Sequence, residues 1–167
     1  AADHTANKLT VALGNYDEGD TVITASNAEG VLKEYYRSCS DELRDQPTKM
    51  FISRNIYDAY TDSYQTNHGA LPYNKEFDKH YLEGSQGKCE LCPIVGKANS
   101  QYIHITPKTN MLVGVDQMGD VERVNVNKYA PDTLTFEMRM FFGVEFETVD
   151  KRMFKAIKLA QTSNNPG

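Results

Sequence analysis

Tryptophan is absent from this 167-residue sequence, cysteine occurs only three times, and no long apolar run is present. Cys39, Cys89 and Cys92 form no disulfide framework, and Cys39 falls in a helical pattern, which favours a reducing compartment. No apolar run approaches the roughly 18 residues that would span a bilayer. The opening AADHTANKLT also lacks the basic start and apolar middle of a secretory signal. We therefore expect a soluble chain with no membrane partner.

Positive charge is also scarce. The 18 lysines and arginines are outnumbered by 23 aspartates and glutamates, which gives a net charge of -5 and a pI of about 5.4. Affinity for nucleic acid rests on an excess of Lys and Arg that releases counterions from phosphates. This composition argues against nucleic-acid binding as the main function, and we expect no sequence-specific nucleic-acid partner.

Motifs of enzymes and cofactor sites are missing as well. The sequence contains no G-x-S-x-G elbow, no G-x-G-x-x-G and no phosphate loop. Asp116 and Asp120 flank a short turn, but their spacing does not match a calcium loop. We therefore predict no enzymatic activity and no cofactor.

One pair of residues does have the spacing of a chemical site. Cys89 and Cys92 are separated by two residues, as in zinc sites and redox dithiols. The pair supplies only half of a zinc site, and neither His80 nor His104 completes a standard spacing. We predict two small buried or half-buried thiols with no bound metal, and keep a zinc or dithiol enzyme as an alternative.

The clearest pattern that is present is a strict alternation over residues 134–146, LTFEMRMFFGVEF. Every even position is apolar, and most odd positions are polar. A period of two is typical of a strand with one buried and one wet face. At about 3.3 Å per residue the run would span roughly 40 Å, which predicts one long framework strand. We expect it to form a hairpin with the preceding strand at residues 121–126.

Helical patterns occupy the first half of the chain. Ser26 and Glu29 have the spacing of a capping box, which predicts a helix start. The apolar residues that follow recur at helical spacing until Pro47, and they are Leu32, Tyr35, Tyr36, Cys39 and Leu43. Ser53 is placed to cap a second helix. This helix carries Ile56, Tyr57, Tyr60 and Tyr64 on one side.

Shorter apolar segments predict further strands. The alternation of Leu9, Val11 and Leu13 predicts one near the start of the chain. Others are predicted at residues 50–52, 92–95, 102–105 and 111–115. Residues 65–87 are polar and rich in Gly and Asn, which predicts a long loop. Tyr73, Tyr81 and Tyr129 fall in presumed loops, so we interpret these three as candidates for contacts with neighbouring subunits.

The order of these elements, together with four segments, resembles the C-terminal half of the major capsid protein of tailed bacteriophages. The segments are residues 47–53 (PTKMFIS), 92–95 (CPIV), 105–116 (ITPKTNMLVGVD) and 136–146 (FEMRMFFGVEF). The third is the most specific, because it is similar to the TPK-x-N-L-x-x-G-x-D phrase of that family. The resemblance covers roughly residues 28–160 and favours a strand at residues 154–159.

The resemblance implies an α+β fold, a partial form of the tailed-phage capsid fold: a mixed sheet with flanking helices plus a long antiparallel hairpin. Residues 26–117 would form an axial-type domain and residues 118–160 the long strands of a peripheral-type domain. Residues 1–25 and 161–167 would be irregular or partial flanks. The family's N-terminal arm, extended loop and spine helix have no counterpart here, so we expect a fragment. The Lys, Asn and Glu that cross-link some relatives cannot be placed in this sequence.

The function implied by the resemblance is that of a structural subunit of a phage or prophage capsid. Its partners would be copies of itself, arranged as pentamers and hexamers in the full-length protein. The resemblance places it in the virion, and in the bacterial cytoplasm during assembly. The isolated chain would be a monomer or a weak oligomer. An encapsulin-like nanocompartment shell is the alternative that shares this architecture.

Overall fold

The computed structural model describes residues 8–69, 80–97, 100–115, 124–130, 133–138 and 142–160. Three α-helices lie in these ranges: α1 (Ala28–Arg37), α2 (Asp41–Asp45) and α3 (Arg54–His68). The strands are β1 (Tyr16–Glu18), β2 (Thr48–Ser53), β3 (Cys89–Ile94), β4 (Tyr102–Pro107), β5 (Met111–Val115), β6 (Val124–Ala130), β7 (Thr133–Met138), β8 (Phe142–Phe146) and β9 (Lys155–Lys158).

Five of the strands form one mixed sheet in the order β1-β9-β4-β2-β3. β1 pairs with β9 and β2 pairs with β3 in parallel, whereas β4 is antiparallel to both of its neighbours. The predicted strands at residues 50–52, 102–105 and 154–159 are all members of this sheet. The predicted fold class, a mixed sheet with flanking helices, is confirmed.

The core lies on the face of this sheet that α1 and α3 cover. Alternate residues of each strand point into it because side chains alternate across a strand. Met50 and Ile52 of β2 therefore lie beside Ile103 and Ile105 of β4, and all four are buried. The helices contribute Ala28, Leu32, Tyr36, Ile56 and Tyr60 to the same core.

The first predicted helix is divided in two. The apolar spacing holds, since Leu32, Tyr36, Cys39 and Leu43 are all buried, but α1 ends at Arg37 and α2 begins at Asp41. The Ser40 side chain accepts a hydrogen bond from Leu43 N and caps the new helix. Ser40 Oγ also donates to the carbonyl of Lys151, so a distant part of the chain stabilises the break.

The predicted capping box at Ser26 and Glu29 is wrong. Asn27 is the N-cap residue of α1, and its side chain makes no capping bond. The Asn27 side chain bonds instead to the residues before the helix: its Oδ1 accepts from Thr24 N and its Nδ2 donates to Val22 O. The Glu29 carboxylate is engaged by other groups described below. By contrast, the predicted Ser53 cap of α3 is confirmed, because its side chain accepts from Ile56 N.

The predicted strand at Leu9, Val11 and Leu13 is also wrong. Val11–Leu13 is a short 3-10 helix, and all three apolar side chains are exposed. The buried Asn15 amide donates to Lys8 O and to Val149 O, and its Oδ1 accepts from Thr10 N. These bonds fold the segment back on itself, and an isolated alternation of three residues does not reveal them.

The predicted long loop at residues 65–87 is shorter than expected. α3 continues to His68 and ends at Gly69, which has the left-handed φ of 64°. Residues 70–79 lie outside the described part of the chain. Residues 80–82 run along the outer edge of β3, where Leu82 N donates to Cys89 O and Leu91 N donates to His80 O.

Pro93 lies near the end of β3, the strand at this edge of the sheet. Leu91 directs its N–H outward, so Pro93, two residues further along β3, occupies an outward-facing position as well. Proline has no N–H, and an edge position is where a strand tolerates it.

The chain forms two compact units, Ala1–Asn110 with Thr148–Gly167, and Met111–Glu147. The expected boundaries, 26–117 and 118–160, differ from these units at both ends of the second one. β5 belongs to the second unit, where it pairs with β8, its only partner among the described strands. β9 belongs to the first unit because it lies inside the five-stranded sheet.

The second unit contains two antiparallel ribbons. In one, β6 pairs with β7, so that Val126 lies opposite Phe136. This confirms the predicted hairpin. Its first strand is described over Val124–Ala130 and so continues past residue 126, where the predicted strand ended, while residues 121–123 lie outside the description. In the other, β5 pairs with β8, so that Val113 lies opposite Val144. The predicted single strand over 134–146 thus contributes to both ribbons, and its middle, residues 139–141, lies outside the described chain.

Candidate functional site

The two closely spaced cysteines point in opposite directions. Cys89 and Cys92 are three residues apart in β3, an odd spacing that places them on opposite faces of the sheet. Cys89 is buried in the core, whereas Cys92 is half-buried, with Lys49 Nζ 4.0 Å from its sulfur. In the described part of the chain, no three His, Cys, Asp or Glu side chains group closely enough to hold a metal. The zinc or dithiol alternative therefore gains no support from this geometry.

The three thiols should react at very different rates. Burial raises the pKa of both Cys39 and Cys89 to about 12, and the thiolate is the reactive form. We expect Cys92 alone to react quickly with a chromogenic disulfide reagent at pH 8. Cys39 and Cys89 should react at least about a hundredfold more slowly until the protein is unfolded.

The Cys92→Ser variant is the control, because it should remove the fast phase and leave the slow phase unchanged. Two fast thiols in the native protein, or one zinc ion per chain in elemental analysis, would contradict this assignment.

Only one of the three tyrosines predicted to form interfaces has a described side chain. Tyr81 is half-buried, and its backbone forms an isolated antiparallel β-bridge with Glu90 of β3. Its carbonyl accepts a hydrogen bond from the Tyr60 hydroxyl at 3.5 Å. Tyr73 lies outside the described residues. Tyr129 lies in β6, not in a loop, and its side chain is outside the description. The interface role of these residues stays a prediction.

Among the described residues, more exposed large apolar side chains lie on the two ribbons than on the rest of the chain. On the β5–β8 ribbon, Val113 is 70% exposed and its partner Val144 is 71% exposed. On the β6–β7 ribbon, Phe136 is 68% exposed and stands opposite the exposed Val126. The alternation at residues 134–146 thus places apolar side chains on one face of each ribbon. The expected burial of these faces is wrong for the described residues.

A buried carboxylate joins α1 to the end of α3. The Glu29 side chain accepts hydrogen bonds from Lys33 Nζ at 2.6 Å and from Asn67 Nδ2 at 2.8 Å. His68 Nε2 lies 2.9 Å from the same carboxylate. Glu29 is 4% exposed, so these groups replace the water that an ionised carboxylate requires.

These contacts keep Glu29 ionised. Burial alone would raise the pKa of this carboxyl, but the bonds from Asn67, Lys33 and His68 outweigh it and lower the pKa to about 2. We describe the cluster as structural, because each of its members is already bonded to another. The Glu29–Lys33 spacing of four residues was visible in the sequence as a helical ion pair, but Asn67 and His68 are brought close only by the packing of α1 against α3.

No helix among the described residues combines the length and apolar character needed to cross a membrane. No protein-family model and no curated protein matches this sequence.

Two solved structures are similar to this chain. The asymmetric unit of the bacteriophage PhiM1 mature capsid matches with a TM-score of 0.53 and 11% identity over 90% of this chain and 52% of that chain. A virus-like particle from Pyrococcus furiosus matches with a TM-score of 0.46 and 13% identity over 86% of this chain and 56% of that chain. The chain therefore spans about half the length of each. The PhiM1 match supports the assignment: the chain has a partial capsid-protein fold, as the sequence resemblance predicted.

Proposed function

We propose that this chain is a structural subunit of a capsid-like shell and acts by self-association rather than by catalysis. The observation that carries the proposal is the exposed apolar face on each ribbon of a chain with a capsid-protein fold. Burial of apolar surface contributes about 25 cal/mol per Å², and large exposed apolar patches mark interaction sites. Covering these faces in an assembly would therefore be favourable.

We further propose that the shell is the capsid of a phage or prophage, with subunits arranged as pentamers and hexamers. The protein would then be located in the virion, and in the bacterial cytoplasm during assembly. The unit Ala1–Asn110 with Thr148–Gly167 would correspond to the axial-type domain, and Met111–Glu147 to the peripheral-type domain. The capsid-protein fold supports this proposal. The encapsulin-like alternative stays a prediction, because it implies the same architecture.

The proposal predicts that one face of the β6–β7 ribbon is needed for association. Val126 and Asn127 are adjacent and both exposed, but they point to opposite faces. We expect weak, reversible association of the chain, seen as a sedimentation coefficient that rises with concentration up to about 100 µM. Val126→Asp should weaken it at least about tenfold because it places a charge on the apolar face.

Asn127→Asp is the matched control, since it adds the same charge to the polar face. It should change the association less than about twofold. A sedimentation coefficient independent of concentration would contradict the proposal, as would equal effects of the two substitutions. A stable closed shell at micromolar concentration would contradict the expectation that the chain alone associates weakly.

A further inference from the structure

A concavity of about 380 Å³ lies between α2 and the turn at residues 84–87. It is separate from the Glu29 cluster and is formed entirely within the first unit. The lining residues that matter here are Tyr36, Asp41, Arg44, Asp45, Gln86 and Lys88. Two cations, Arg44 and Lys88, are thus brought to one pocket of a chain whose net charge is -5.

The Arg44 guanidinium lies against an aromatic ring, which restricts its orientation. Its guanidinium carbon lies 5.7 Å from the centroid of the Tyr36 ring, a cation–π distance. The Tyr36 hydroxyl donates to Arg44 O at 3.2 Å, so the ring is itself tied to the Arg44 backbone. Arg44 is 38% exposed, and ordering of this kind reduces the entropy lost when a ligand binds.

The hydrogen-bonding capacity of Arg44 is largely unused. A guanidinium carries five N–H donors, yet within the described ranges Arg44 Nε is buried with no acceptor. Its ion-pair partner Asp41 lies 3.6 Å from Nη1, and the Asp41 side chain is 98% exposed. Such an exposed pair contributes little, so a better-placed carboxylate could replace Asp41.

The opposite wall of the concavity adds a second cation and a strained backbone. Lys88 Nζ lies 2.7 Å from Asp45 Oδ1, and this bond lowers the pKa of Asp45. Gln86 has a φ of 56°, in the left-handed region that residues other than glycine rarely adopt. The Arg37 guanidinium also lies close to this turn. Its Nη2 would be 4.0 Å from the β-carbon of any residue that replaced Gly84.

We propose that this pocket binds a carboxylate side chain presented by a second copy of the chain, with Arg44 as the bidentate anchor and Lys88 as the second cation. The planar fork of arginine matches a carboxylate, and paired donors of this kind form strong bonds. Asp41 and Asp45 on the rim would repel a dense polyanion such as a nucleic-acid backbone. Both side chains are mostly exposed, so each can give up its ion pair with Arg44 or Lys88 when one carboxylate binds. The inference rests on the proposed self-association.

The pocket is tested first without assembly. N-acetylglutamate is the probe, and the readout in NMR titrations is the set of backbone N–H resonances of residues 84–86 and 88, which line the pocket and are present in every variant. We expect saturable binding with a dissociation constant on the order of 10 mM. Arg44→Gln should weaken it at least about tenfold, and Arg44→Lys, which keeps the charge but loses the fork, by a smaller factor.

The matched control is Arg54→Gln. Arg54 has a similar position over an aromatic ring, 5.8 Å from the Tyr57 centroid, but its side chain is 66% exposed and pairs with Asp58 along α3. This substitution should leave probe binding unchanged. Melting curves of all variants identify any loss of folding.

Sedimentation velocity of the same variants then identifies the source of the carboxylate. If a second copy supplies it, Arg44→Gln should weaken association at least about tenfold and Arg54→Gln should not. Association that Arg44→Gln leaves unchanged, with no probe binding, would overturn the pocket and leave the proposed function intact. Probe binding by a chain that never associates would overturn the proposed function and the second copy as the source, but not the carboxylate site.

Discussion

Asn110→Ala should lower the free energy of unfolding by about 3 to 4 kcal/mol, because buried donors and acceptors lose their partner. Asn110 is fully buried. Its Nδ2 donates to Thr148 O at 2.8 Å and to Thr106 Oγ1 at 3.0 Å, and its Oδ1 accepts from Thr148 N at 2.9 Å. One amide thus joins the segments on either side of the second unit, at Asn110 and Thr148.

The measurement is urea denaturation followed by circular dichroism. Thr109→Ala provides the control, since Thr109 is adjacent and exposed, and its loss should change the free energy of unfolding by less than about 0.5 kcal/mol. Equal denaturation midpoints for the two variants would show that the Asn110 bonds do not stabilise the fold.

Glu29→Gln should lower the free energy of unfolding by about 3 kcal/mol at pH 7, the equivalent of the shift in its pKa. The loss arises because the ionised carboxylate accepts from Lys33 and Asn67 and lies beside His68. A neutral amide cannot replace the charge. Its own N–H groups would also face the N–H donors of Lys33 and Asn67. Removing one partner of a buried ion pair is costly because the other partner is left without its counter-charge.

The same cluster sets a pH dependence with a definite sign. The pKa of Glu29 is lowered from 4.5 to about 2 in the folded state, so the folded chain binds this proton less readily than the unfolded chain. The stabilisation is therefore complete above about pH 5 and is lost as the pH falls toward 2. The difference in free energy of unfolding between wild type and Glu29→Gln should therefore become smaller as the pH falls over the same range.

Urea denaturation midpoints at pH 7, 5, 4 and 3 measure this effect. Glu34→Gln is the matched control, because Glu34 is an exposed carboxylate on the same helix. It should leave the free energy of unfolding unchanged within about 0.5 kcal/mol at every pH. A constant difference between wild type and Glu29→Gln from pH 7 to pH 3 would contradict the depressed pKa.

Local patterns predicted the elements whose determinants are also local. The Ser53 cap lies directly before the helix it starts, and the strands around Ile52 and Ile103 are short apolar segments that the sheet buries. The strand around Ile157 was predicted from the family resemblance and not from its own pattern. The predictions were wrong where hydrogen bonds to distant residues determine the local structure. Ser40 donates to Lys151 O and Asn15 to Val149 O, and each bond joins positions more than a hundred residues apart.

The candidate site was predictable only in part for a related reason. Alternation shows which side chains share a face, as with Phe136 and Leu134, but not whether anything covers that face. Asn110 and Thr106 stood in the segment that carried the family resemblance, yet nothing in the segment showed that their side chains bond to each other. Arg44 had no sequence pattern at all, because the turn that faces it begins forty residues later.

Pro93 has a consequence for the behaviour of the chain at high concentration. The edge of β3 is an outer limit of the five-stranded sheet, and an open edge can recruit a strand from another molecule into continuous growth. Residues 80–82 occupy the first part of that edge, and Pro93 offers no donor at the next outward position. An incoming strand would find no complete ladder there, which disfavours indefinite fibre growth from this edge.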